Sequence, residues 1–307
     1  MEIRNRYAYF EGRIVPIDKA RVSIMTSALN YGLAVFEGIR AYWDPAHGRL
    51  LVFRLDDHLD RFWRNGRILF MEPPLSRQAM ADAMADLLRR EAFRGDVYLR
   101  PLLYKSTCEI GPRVHDNRCD VSIFATPLDR YVNTEDGIRV IVSSWRRVSD
   151  AAIPPRGKIS GSYVTAALSK SEALLAGVDE AVLLNESGAV SEGTVSNLFL
   201  VRDGVLITPP ISAGILEGIT RSTVLTLAAE LGLEVVERTV LRSELYAADE
   251  VMLTGTATEL APVIEVDRHP VGDRTPGPIV RRLAKAFDDV ARGRSDRHAD
   301  WCTPVSL

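Results

Sequence analysis

The chain is poor in cysteine. Its three residues, Cys108, Cys119 and Cys302, are odd in number and far apart along 307 positions. Such a pattern excludes a disulfide framework and a zinc knuckle, and it points to a reducing, cytoplasmic compartment with no bound metal. An excess of charge is also absent, because 38 Lys and Arg face 41 Asp and Glu for a formal net charge of -3. Neither nucleic acid nor an anionic membrane surface is implied as a partner. No window approaches the ~18 consecutive apolar residues of a membrane span. The opening MEIRNRYAYFEGRIVP has no apolar signal core. The expectation is a soluble intracellular protein that works on small molecules. The H-E-x-x-H zinc pair, the Walker loop and the G-x-G-x-x-G fingerprint are missing too. The five histidines, His47, His58, His115, His269 and His298, lie mostly in loops or charged surroundings. That placement argues against a catalytic triad.

What is present is ordinary globular usage, 46% apolar and 26% charged, at a length that favours two domains. YAYFEGRIVPI reads as a hairpin about Glu11 and Gly12, and AVFEGIRAYW and RLLVFRL as strands. DDHLDRFWRNGRIL reads as a helix started by capping aspartates, and SRQAMADAMADLLRREAF as a second helix capped by Ser76. With VYLRPLLY and DVSIFAT as further strands, residues 1–127 are expected to form a small N-terminal α+β domain with a mostly antiparallel sheet. Turn formers gather in TPLDRYVNTEDG, so a linker is placed at 128–136, with a larger domain over 137–307. In that domain the strands are RVIVSSW, EAVLLN, NLFLV and VLITP. One helix is expected to bury Val164, Leu168, Ser171 and Leu175 and to stop at Gly177. Another buries Val224, Leu227 and Leu231 and stops at Gly232. From about Ser295 the tail is polar and is expected to be partly mobile, with Trp301 able to dock.

Two turns suit an anion. LEGITRSTV opens a helix at Gly218, Ile219 and Thr220, where amide N–H groups and the helix dipole face outward. EVMLTGTATEL places Gly255 among Thr254, Thr256 and Thr258. Lys158, in IPPRGKISGSYV, sits before a helix start that disfavours a cation, and a neutral amine is what attack on a carbonyl requires. By position alone it is equally a surface lysine, just as Tyr163 is a rim residue and Glu192 a solvated turn residue. A carboxylate such as Glu192 beside a pyridine nitrogen favours the protonated ring, a better electron sink. Lysine, carboxylate and two anion-binding turns together describe a pyridoxal phosphate site.

The segments ALNYGLAVFEGIRAY, VYLRPLL, VSSWRR, IPPRGK, GSY, SEGTVSNLF, LEGITRSTV, YAADEVMLTGTATELAPV and GPIVRRL occur in an order that resembles the fold-type IV pyridoxal phosphate enzymes, and among them the branched-chain amino acid aminotransferases. The resemblance runs nearly end to end. It implies the two-domain α+β fold of D-amino acid aminotransferase-like enzymes, with a smaller N-terminal α/β sandwich domain and a pseudo-barrel in the larger C-terminal domain. It implies that Lys158 carries pyridoxal 5'-phosphate as an internal aldimine and moves the substrate α-proton. Glu192 would pair with the ring nitrogen and Tyr163 would bond the phenolic oxygen. Arg61, Ile219, Thr220 and Thr256 would hold the phosphate, and Leu216 would lie against the ring. Tyr31, Phe36, Tyr98 and Arg100 match the substrate pocket, with the Thr256 and Ala257 amides on the substrate carboxylate. Tyr98 and Arg100, two apart on a strand, share a face, and Arg100 suits the side-chain carboxylate of glutamate or 2-oxoglutarate.

The reaction so implied is ping-pong transamination of leucine, isoleucine or valine with 2-oxoglutarate, in a homodimer or higher homo-oligomer. Two departures from the family pattern bear on the pocket: KSTCEIGPRVHDN, within 105–117, replaces a glycine-rich loop, and Leu128 stands where tryptophan is expected. They keep two alternatives open, an (R)-selective amine or D-amino acid transaminase of the same fold, and an aminodeoxychorismate lyase.

Overall fold

The computed structural model describes residues 6–129 and 135–307, so 130–134, the middle of the expected linker, lie outside the described residues. The first hairpin forms as its turn residues dictate, β1 (Tyr7–Phe10) pairing antiparallel with β2 (Arg13–Pro16). After the short helix α1 (Ser27–Tyr31), the run that reads as one strand is two, β3 (Ala34–Phe36) and β4 (Ile39–Asp44). The break at Glu37–Gly38 has a steric cause: the Tyr98 hydroxyl fills the space that a Cβ at position 38 would need. β5 (Arg49–Phe53) leads into α2 (Leu55–Ile68), whose N-cap is Arg54 in the left-handed region at φ 53°. Asp56 and Asp57 are therefore first-turn residues that favour the dipole, not caps. α3 (Arg77–Glu91) starts as expected, Ser76 Oγ accepting from Ala79 N at 3.1 Å. Its buried face of Met80, Ala83, Met84, Leu87 and Leu88 packs toward β1 and, from the hairpin β6 (Val97–Lys105) and β7 (Cys119–Pro127), toward β7.

Beyond residue 135 the elements are β8 (Ile138–Arg146), α4 (Tyr163–Leu175), β9 (Glu180–Leu184), β10 (Val190–Gly193), β11 (Asn197–Arg202), β12 (Val205–Thr208), α5 (Ile219–Glu230), β13 (Val235–Glu237), β14 (Glu250–Gly255), β15 (Glu259–Val266), β16 (His269–Pro270), α6 (Pro278–Ala291) and β17 (Cys302–Ser306). Sheet order in the first sheet is β17-β5-β4-β6-β7-β1-β2, with β3 on β6, and every pairing is antiparallel. The second sheet runs β10-β9-β8-β15-β14-β11-β12-β13, with β16 on β15 and parallel pairings at β8–β9, β8–β15 and β12–β13. Its apolar core includes Val140, Val182, Leu198, Leu253 and Val263. The chain forms two compact units, Met1–Asp129 with Gly157–Gly161 and Val290–Leu307, and Arg130–Arg156 with Ser162–Asp289. The short segment that carries Lys158 thus belongs with the first unit.

Three expectations are corrected. On α4 the Val164, Leu168 and Leu175 face points outward, with exposures of 64%, 39% and 90%, while Ala166, Ser169 and Ala173 are buried against β8 and β9. Both stripes have helical spacing, and the small one lets the helix lie close to the sheet. Leu231 is only half-buried, although Val224 and Leu227 face inward as expected. Finally, the tail is not loose. β17 pairs along the length of β5, and Trp301 docks with its ring stacked on His298 at 3.8 Å and under the Arg54 guanidinium at 4.4 Å. Among the described residues no helix is long and apolar enough to cross a membrane, and no group of three or more His, Cys, Asp or Glu could hold a metal ion.

Candidate active site

In the first unit, Lys158 is fixed through its backbone. Its carbonyl accepts from Phe36 N at 3.1 Å, Ile159 bridges to Val35, and Gly161 N donates to Gly32 O at 3.2 Å. A Cβ on Gly32 would come within 2.8 Å of the Gly161 Cα, so the close approach of these two backbones needs glycine. The Lys158 Nζ lies 5.1 Å from the centre of the Phe36 ring, and the Arg100 guanidinium 4.4 Å from the same ring. Arg100 Nη2 also donates to the Tyr98 hydroxyl at 2.9 Å, so these two side chains do share a face of β6. Its buried Nε has no hydrogen-bond partner among the described residues. Lys158, Phe36, Tyr98 and Arg100 therefore form one group. Tyr31 is engaged by the loop between β6 and β7, its hydroxyl accepting from Gly111 N at 3.1 Å. That loop and Ser27 border a shallow cleft of about 220 Å³.

Arg61, expected on the phosphate, points its fork at Glu37: Nε donates to Oε1 and Nη2 to Oε2, each at 2.7 Å. Glu37 is fully buried, and His58 Nδ1 lies 2.8 Å from its Oε2. Burial by itself would raise the Glu37 carboxyl, but Arg61 and His58 outweigh it and hold the group well below the usual carboxylate range. Burial pushes His58 down against the pull of Glu37, so the neutral ring donates from Nδ1. Glu37 and His58 escaped the sequence reading. A lone glutamate beside Phe36 reads as a surface group until its partners on α2 are known.

In the second unit, Glu192 lies within β10 and not in a turn. The turn comes earlier, at Asn185–Gly188, and a bulge between Val190 and Glu192 shifts the register against β9. Its buried carboxylate meets Arg147 Nε at 2.8 Å, Asn197 Nδ2 at 3.0 Å and Leu216 N at 3.1 Å. Asn197 Nδ2 also donates to Leu216 O at 2.9 Å. Leu216 and Glu192 are thus brought together, and Arg147 and Asn197, to which no role was assigned from sequence, join them. α5 begins at Ile219 with Thr220 next, and its N-cap, Gly218, offers no side-chain cap. Thr254 pairs with Asn197 across β14 and β11, and Thr256 and Ala257 form the turn after Gly255. Tyr163 is the first residue of α4.

These residues fit pyridoxal phosphate on observations independent of any resemblance. The N-terminus of α5 leaves first-turn amides for a phosphate. The neighbouring Ser196 Oγ and Thr254 Oγ1 are buried without hydrogen-bond partners among the described residues. Buried hydroxyls are normally satisfied. A carboxylate fixed by three donors is also the group that a pyridinium nitrogen needs.

Comparison with known proteins agrees. A family model of amino-transferase class IV matches residues 34–266. A probable branched-chain-amino-acid aminotransferase of Aquifex aeolicus (strain VF5) is 45% identical over 300 residues, covering 97% of this chain and 96% of that protein. The crystal structure of a branched-chain aminotransferase from the thermophilic archaeon Thermoproteus uzoniensis with norvaline superposes with a TM-score of 0.94 at 40% identity, covering 98% of this chain and 99% of that one. The branched-chain amino acid aminotransferase from Thermobaculum terrenum, in its PLP-bound holo-form, gives 0.93 at 40% identity, with the same coverage.

Proposed function

The chain belongs to the class IV aminotransferases, and we propose that it is a pyridoxal 5'-phosphate enzyme that transaminates L-leucine, L-isoleucine and L-valine with 2-oxoglutarate. The observation that carries this reading is Glu192, buried in β10 and held by Arg147, Asn197 and the Leu216 amide beside the open N-terminus of α5. Bound cofactor supplies an aldehyde that condenses with amines and a ring that takes up the electron pair released with the α-proton.

The protein's own residues do the rest. The Lys158 amine holds the aldehyde carbon between turnovers; released by the substrate amine, it takes the α-proton and later returns it. Glu192 keeps the ring nitrogen protonated, and Tyr163 bonds the phenolic oxygen. The Ile219 and Thr220 amides, Thr256 and Arg61 hold the phosphate, Arg61 oriented by its fork on Glu37. Leu216 packs against the ring. The Thr256 and Ala257 amides orient the substrate carboxylate. Phe36 and Tyr31 wall the side-chain pocket. Arg100, with a buried Nε that lacks a partner among the described residues, takes the second carboxylate of 2-oxoglutarate. One site serves both substrates in turn, so initial-rate plots at several 2-oxoglutarate concentrations should be parallel.

Self-association fits the first unit, where Val22, Ile24, Met25 and Leu29 are exposed apolar side chains. The deciding experiment is a half-reaction panel on the cofactor-loaded protein, following the cofactor absorption with L-leucine, D-alanine and (R)-1-phenylethylamine. Fast loss of the lysine-bound band with L-leucine alone supports the proposal. A preference for either of the others moves the protein to the D-amino acid or (R)-amine enzymes. Pyruvate release from aminodeoxychorismate without an acceptor makes it a lyase.

A further inference from the structure

Glu192 is held more firmly than one contact to a ring would require. Arg147 Nε approaches Oε1 at 2.8 Å, while Asn197 Nδ2 and Leu216 N converge on Oε2 at 3.0 and 3.1 Å. Arg147 is itself anchored. Its Nε also reaches Gly214 O at 3.2 Å, and its backbone N–H donates to Leu184 O at 2.9 Å, just past the irregular end of β8. The two side chains are 10% and 6% exposed, so water does little to dilute the pairing. A surface arginine could not do the same.

In a buried hydrogen bond between a carboxylate and a pyridine nitrogen, the proton resides on the partner with the greater affinity. Every donor to the carboxylate lowers its share, a charged donor most of all. Asn197 and the Leu216 amide are neutral donors, whereas Arg147 brings a full positive charge. We propose that Arg147 is a positioning residue that, with Asn197, holds the Glu192 carboxylate anionic and aimed, so that the proton shared with the cofactor's ring nitrogen stays on the ring. Without that charge the proton returns toward the glutamate, and the ring becomes a weaker electron sink although every group that touches it is retained. The inference rests on the proposed cofactor site.

The test uses holoenzyme loaded with pyridoxal phosphate carrying ¹⁵N at the ring nitrogen, whose resonance separates protonated from neutral pyridine. Wild type and Arg147→Lys, which retains the charge, should give the protonated position. Arg147→Gln retains a donor to Glu192 but drops the charge, and it should move the resonance toward neutral pyridine, part of the way to Glu192→Gln. The kcat of the amino-acid half-reaction should fall with that shift, with KM little changed. A wild-type resonance in Arg147→Gln, with Glu192→Gln displaced, overturns the inference and leaves the site reading intact. A resonance that Glu192→Gln does not move overturns the site reading itself. Should Arg147→Gln fail to fold, Asn197→Ala removes a donor from Oε2 and must move the resonance the same way; a wild-type position there overturns the inference equally.

Discussion

Replacement of Gly218 by alanine offers a sharp test of the second-unit geometry. Gly218 caps α5 with φ -71° and ψ 133°, a conformation open to any residue, so alanine introduces no backbone strain. At an ordinary N-cap the change would cost about 1 kcal/mol. Here a Cβ falls on the Asn197 side-chain oxygen and meets the Arg221 Cβ at 3.4 Å. Asn197 is 4% exposed, with Nδ2 bonded on one side to Glu192 at 3.0 Å and on the other to Leu216 O at 2.9 Å. It cannot turn aside without losing both. The bond to the carboxylate contributes about 1.5–3 kcal/mol and the neutral one about 1 kcal/mol, while keeping them and accepting the overlap costs about 1–3 kcal/mol. The protein takes the cheaper path, so with the capping term the expected destabilisation is about 3 kcal/mol, or roughly 6–9 °C in the midpoint of thermal unfolding. Cofactor should also bind at least tenfold more weakly, because the N-terminus of α5 and Glu192 shift together. Gly95, with nothing within 4 Å of its Cβ position, is the control and should change by less than about 0.5 kcal/mol on substitution by alanine. A Gly218→Ala protein that melts within about 1 °C of wild type and retains cofactor affinity would refute this reasoning.

Three further outcomes follow from other parts of the molecule. His58 is held neutral, its folded affinity for a proton lying below the ordinary value of 6.5. As pH falls through that value the unfolded chain gains a proton that the folded chain refuses, so stability should drop by up to about 1.4 kcal/mol per pH unit; urea titrations of His58→Asn should lack this slope. Glu37 adds its own loss only further down, as pH falls below the usual carboxylate range, because its folded affinity is lowered too. On α4, Leu175→Lys should leave stability within about 0.5 kcal/mol, whereas Ala173→Leu, at a fully buried position against the sheet, should cost about 1–3 kcal/mol; the reverse ranking in denaturant melts would restore the face expected from spacing. Burial pushes the Cys302 thiol up to about 11 while Cys108 is exposed, so a thiol reagent at a pH of about 8 should modify Cys108 quickly and Cys302 only after unfolding, as peptide mass mapping will show.

Much of the molecule is local, and what is local was legible. Ser76 caps α3 because its hydroxyl reaches an amide three residues on, and Gly177 and Gly232 end their helices at positive φ, 77° and 70°, where other residues strain. Lys158 is a different case, since in isolation it reads as a loop lysine and only the ordered motifs made it a cofactor anchor. Tertiary structure alone decided which stripe of α4 met the sheet, that Glu192 sat inside β10, and that β17 closed the edge of β5. It also brought Glu37 to His58 and Arg61, and Arg147 and Asn197 to Glu192. Periodicity states that a residue has a face, and a cap states where a helix begins. Neither names the partner, and for a buried charge the partner, far off in the chain, determines whether it is a defect or part of the site.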